Sequence, residues 1–152
     1  MDIAKLRAEL TEDPEGYGYA DLPDPEAANA LNAPTRPSRG TVAAAEVRRF
    51  VLLNGIWPRL TAAQNAPDQF IAGTAQTILQ TLAPNSFDEI RMGDPAVAKA
   101  VGDMLETMVA AGVMTADQRD KMMALGDVII SRAEELGLER VHHLDVAEAR
   151  RV

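Results

Sequence analysis

The chain of 152 residues has no cysteine. That excludes disulfides, thiolate chemistry and Cys-ligated zinc or iron–sulfur centres. Aromatic residues are scarce, with one Trp, two Tyr and three Phe. Strands favour aromatic and β-branched residues, whereas alanine, abundant here, is the best helix former. No apolar run approaches the ~20 residues of a membrane span. The opening MDIAKLRAEL carries charges throughout and lacks the apolar stretch of a signal peptide. The densest basic spots are short, at Arg36 to Arg39, Arg48-Arg49 and Arg150-Arg151, within a net charge of −8. A nucleic-acid binder needs a basic face, and so does a protein docking on anionic lipid. Neither partner is therefore expected.

Chemistry-bearing motifs are missing as well. GxGxxG, GxxxxGK[ST], GxSxG and HExxH do not occur, and no EF-hand spacing is present. The two histidines, His142-His143, are adjacent and point in different directions on any regular element. With Glu139 and Asp145 they make at most a weak metal site, and a solvent-facing or interface pair is the better reading. No catalytic residue, cofactor or metal is expected, and the chain reads as non-enzymatic.

What is present is helical periodicity with clear punctuation. Ile3, Leu6 and Leu10 give an apolar stripe behind a cap at Asp2. Asp24-Pro25-Glu26 starts a short helix to about Asn32. A helix is expected over 42–54 and stops at Gly55, with Val47, Phe50, Val51, Leu52 and Leu53 on its apolar side. Phe70, Thr74, Ile78 and Leu82 recur every four residues in a helix over 67–83. Ser86 and Glu89 form a capping-box pattern for a short helix to Met92. Asp94-Pro95 opens another helix to Ala111, and Thr115 with Gln118 opens the next. Asp127 to Ser131 is ambiguous, because its β-branched run suits a short strand. The helical residues behind it favour helix over 127–136. A last helix is expected over 145–152.

The fold expected is all-α, a small irregular helical bundle with a Pro/Gly-rich extended N-terminal arm. Residues 1–40 form the first helix and the arm, and 41–152 form the bundle. From Thr11 to Gly40 the chain carries Pro14, Pro23, Pro25, Pro34 and Pro37 among several glycines and seven nearby carboxylates. Such a stretch is either a solvated surface loop or an arm lying on a partner. Gly16-Tyr17-Gly18-Tyr19 reads as a flexible turn exposing two tyrosines, with rings folded back on the core as the alternative. Aromatic and apolar anchors dominate protein interfaces. The expected partner-binding residues are therefore Leu6, Leu10, Tyr17, Tyr19, Leu22, Leu31 and Trp57. Met92, Met104, Met108, Met114, Met122 and Met123 fill an irregular core or, alternatively, a seam with another copy of the chain.

The ends of the chain carry a resemblance. The run Met1 to Ala20, then Asp24-Pro25-Glu26-Ala27-Ala28 and Leu31-Asn32, resembles the opening of a group of small tailed-bacteriophage proteins encoded near virion structural genes. Ser131-Arg132-Ala133-Glu134-Glu135-Leu136-Gly137-Leu138, Asp145-Val146 and Ala149-Arg150-Arg151 resemble the end of the same group. The middle is similar only in helical character. Gly16-Tyr17-Gly18 departs from the basic turn expected there. The resemblance implies a phage or prophage gene near the virion structural genes, without giving a particle position, and it carries over no active-site residue. The expectation is a virion component bound to major capsid or tail proteins. A non-virion assembly chaperone or scaffolding adaptor is the alternative.

Overall fold

Asp2 starts the first helix, as its side chain accepts from the Lys5 N–H at 3.0 Å. The computed structural model describes residues 1–151. The chain is mostly helical, but not purely so. Its elements are α1 (Ile3–Glu12), a 3-10 turn (Tyr19–Asp21), α2 (Asp24–Asn32), β1 (Pro34–Arg39), β2 (Thr41–Ala43), α3 (Ala44–Leu53), α4 (Ile56–Ala63) and α5 (Gln69–Thr81). They continue with β3 (Glu89–Arg91), α6 (Pro95–Ala110), α7 (Ala116–Ala124), β4 (Asp127–Ser131), α8 (Arg132–Glu135) and α9 (His143–Arg151). Val152, the expected last residue of the final helix, lies outside the described residues. Among those residues no helix is long and apolar enough to cross a membrane.

Two segments expected as helix are strand instead. Asp127–Ser131 is β4 and pairs with β1. Its alternating exposure and Val128-Ile129-Ile130 suit a pleated surface better than a helix. Strand β1 contains Pro34 and Pro37, which cannot donate to a ladder and are tolerated only on edges; a two-stranded sheet has nothing but edges. Glu89–Arg91 is β3, paired antiparallel to β2 with Val42 opposite Ile90. That pairing leaves the Ser86 capping pattern unused and takes residues 42–43 out of the helix expected from Val42.

The described chain divides into two units, Met1–Ser38 with Ile129–Val152, and Arg39–Val128. The division expected between 1–40 and 41–152 differs in one respect: the last segment folds with the first. A single apolar core explains this. Leu6, Leu10, Tyr19, Ala27, Ala28 and Leu31 from the beginning of the chain pack with Ala133, Leu138, Val141, Val146 and Ala149 from its end.

The 39–128 unit has its own core. Val47, Val51, Ile56, Leu60, Ala75, Ile78, Leu105 and Met108 meet there, with Met92, Met114 and Met122 filling gaps and Met104 and Met123 against its edge. Its two ends are tied together, because Gly40 N–H donates to Gly126 O at 2.8 Å and Gly93 N–H donates to Gly40 O at 2.9 Å. Close approach demands glycine here. A Cβ on Gly93 would lie 2.8 Å from the Arg39 carbonyl oxygen, and one on Gly126 would lie 2.8 Å from Met92 Cγ.

Candidate functional site

In the first unit, polar side chains lock the two ends of the chain together. The carboxylate of Glu9, itself buried, takes both Arg132 Nε and Nη2 at 2.7 Å. Arg132 also reaches Glu135 at 2.8 Å. Arg36 bridges Glu15 at 2.8 Å and Glu135 at 2.5 Å. The Asn32 amide copies one rung of a strand ladder: its Nδ2 donates to Val141 O at 2.7 Å and its Oδ1 accepts from Val141 N–H at 3.0 Å. Arg150 donates to Tyr19 O and Leu22 O, at 2.6 and 3.0 Å, and pairs with Asp24. Lys5 Nζ closes the α8 end by donating to Leu136 O at 2.9 Å.

The Gly-Tyr-Gly-Tyr turn is pinned. Asp13 sits in the left-handed region (φ 39°), and its carboxylate accepts from Tyr17 N–H at 2.8 Å and Gly18 N–H at 2.6 Å. The tyrosines then part company. Tyr17 is 43% exposed, whereas Tyr19 is fully buried and its ring stacks obliquely on that of Tyr17 at 5.4 Å. Burial, with the nearby Glu9 carboxylate, pushes the Tyr19 hydroxyl up to about 12. That hydroxyl has no hydrogen-bond partner among the described residues. Arg36 holds the Glu15 carboxyl below the usual range. Glu134 is held low by the backbone N–H and hydroxyl of Ser131, in a capping box that opens α8.

The residues expected to bind a partner are thus unequally placed. Leu6, Leu10, Tyr19 and Leu31 lie in the core of the first unit and offer no surface in this fold. Leu22 is half-buried against the same core. Trp57 is half-buried in the 39–128 unit. Only Tyr17 stands exposed. The apolar side chains that do reach solvent are others: Leu52, Leu53, Phe70 and Phe87 in the 39–128 unit, and Ile129 and Leu144 in the first. Leu52 and Leu53 fell on the apolar side read from sequence, yet they close α3 beyond the buried Val47 and Val51. His142 and His143 are exposed, and the His142 backbone N–H donates to Asp145 at 2.7 Å. Among the described residues no three His, Asp or Glu side chains stand close enough to hold a metal ion.

One concavity lies in the 39–128 unit. It is an open trough of about 840 Å³ between α6 and β3, with the end of α5 and the 86–88 turn at its rim. Val97, Ala100, Val101 and Met104 form one wall, Ile90 faces them, and Phe87, 61% exposed, stands at the edge. Beside the trough is a small apolar cavity of about 50 Å³ that shares Thr81, Ile90, Val101 and Met104 with it. The lining also includes Ser86, Asp88, Glu89 and Arg91.

No protein-family model, curated protein or solved structure matches the chain.

Proposed function

We propose that the chain is a non-enzymatic bacteriophage virion protein that binds a larger capsid or tail protein. One observation supports this reading most. The runs that resemble small phage proteins, within 1–20, 24–28 and 31–32 and within 131–138, 145–146 and 149–151, belong to one folded unit with one core. The module is acidic: seven Lys and Arg stand against thirteen Asp and Glu, while the 39–128 unit has eight against ten. Much of that acidity is internally paired, at Glu9, Glu15, Asp24 and Glu135. Exposed apolar side chains in both units suit protein contacts. Repetition on a symmetric particle lets weak contacts act together.

Mass spectrometry of gradient-purified particles tests the proposal. Stoichiometric presence of the chain supports it, and copy number separates capsid from tail. Absence, with good coverage of other virion proteins, overturns it in favour of an assembly chaperone or scaffolding adaptor that leaves before maturation.

A further inference from the structure

We propose that the trough between α6 and β3 is the docking site for an amphipathic helix of a partner protein, with its apolar face in the trough and a basic residue at Asp88. The inference rests on the reading that this chain works by binding protein, and it names the surface and the chemistry of what binds.

Shape comes first. The trough is open, whereas small-molecule sites are concave enough to bury most of their ligand. An open trough retains an occupant by holding several side chains at once. The α6 wall supplies the matching repeat: Val97, Ala100, Val101 and Met104 fall at i, i+3, i+4 and i+7, so the apolar wall runs for about 10 Å. That length matches about two turns of a partner helix presenting anchors at the same spacing. Ala100 lies in the middle of the wall, where a small side chain lets another backbone come close. Met104 lines both the trough and the small apolar cavity beside it. Methionine is unbranched and flexible, so its movement lets a leucine-sized anchor sink into that space.

Charge decides the chemistry of the partner. In the lining Glu89 is taken by Arg91 Nε at 3.2 Å. Asp88 gives the fold only its main-chain oxygen, to Ala44 N–H at 2.9 Å. Its exposed carboxylate forms no ion pair among the described residues. An apolar trough lined by an unpaired negative charge favours an apolar helix flanked by Lys or Arg and disfavours an acidic one.

The test uses the whole chain and two synthetic helical peptides of about four turns. Both carry leucines along one face; one has lysine at its polar positions, the other glutamate. Binding is read by fluorescence anisotropy of the labelled peptides and by the methyl resonances of Met104 and Ile90. The basic peptide is expected to bind and shift those methyls, and the acidic one to bind at least several-fold more weakly. Ala100→Arg fills the wall and is expected to weaken the basic peptide at least tenfold. Its fold is checked by circular dichroism, and Ala100→Leu serves as a second, apolar obstruction. Asp88→Lys is expected to weaken the basic peptide about fivefold and to improve the acidic one. Equal binding of the two peptides, unmoved methyls, or unaltered binding to Ala100→Arg would overturn the proposal. Displacement of neither peptide but saturation of the trough by a neutral apolar dye would assign it to small molecules instead. Concentration-dependent self-association abolished by Ala100→Arg would assign it to a second copy. Each of these results is independent of whether the chain is found in particles, so failure of the docking site and failure of the virion reading remain distinguishable.

Discussion

Replacing Glu9 by alanine should unfold the first unit far more readily than an exposed glutamate would. The Glu9 side chain is 4% exposed and that of Arg132 12%, with two short bonds between them. Removing one member of a buried pair costs about 3–5 kcal/mol, because the remaining charge is stranded. Arg132 keeps Glu135 at 2.8 Å and Glu15 at 3.8 Å, so the lower end applies, about 3 kcal/mol. In urea, with a slope of about 1–3 kcal/mol/M, the midpoint should fall by about 1–3 M. Circular dichroism follows the whole chain, while Trp57, the single tryptophan, reports on the 39–128 unit. The loss should therefore appear in the dichroism transition. The pair Glu9→Met with Arg132→Met should recover most of it, since a well-packed apolar pair replaces a buried ionic one at little net cost. A Glu9→Ala chain within about 0.5 kcal/mol of the parent, the range of an ordinary surface change, would refute the clasp.

Further expectations follow from individual contacts. Asn32→Ala leaves both the N–H and C=O of Val141 without their partner, and should cost about 1–3 kcal/mol with faster amide exchange at Val141. Gly93→Ala drives a methyl against the Arg39 carbonyl oxygen, so it should destabilise the 39–128 unit as read by Trp57 fluorescence, whereas Gly73→Ala, with open space around it, should not. Met108→Ala, at a fully buried position, should cost about 2–5 kcal/mol. The pH response should have two limbs. Glu15 and Glu134 are held below the ordinary carboxylate value of 4.5, so their stabilisation is complete above that value and is lost as pH falls through their lowered values. Tyr19 is raised from 10 to about 12, so its contribution is complete below pH 10 and is lost as pH rises toward 12; Tyr19→Phe should flatten the alkaline limb in a stability titration.

Local features were legible in the sequence, and long-range ones were not. The caps at Asp2, Asp94 and Thr115 appear as read, because a cap is decided by residues two or three positions apart. The apolar stripe of α5 also appears, with Thr74 and Ile78 inward, though Phe70 at its start remains exposed. Asp127–Ser131 shows where local reading stops. Its β-branched residues allowed a strand, but what makes it one is β1, some ninety residues earlier and marked by prolines that argue against sheet. The same distance hid the shared core of the two ends. Leu6, Leu10 and Leu31 read as anchors for another protein because their partners, Val141, Val146 and Ala149, lie at the far end of the chain. Asn32 gave no signal at all, since its role depends on the backbone of Val141. The trough was equally invisible: the α6 repeat was plain, but nothing local places Ile90 and Phe87 opposite it.

The co-folding of the two chain ends underlies both the proposed module and the placement of the expected anchors, and amide hydrogen exchange tests it most directly. In a chain lacking residues 1–38, the amides of α9 and of Leu138 and Val141 should lose their protection, while those of α5 and α6, bonded wholly within the 39–128 unit, provide the internal reference. Protection that persists from Leu138 through α9 in the shortened chain would contradict a shared core.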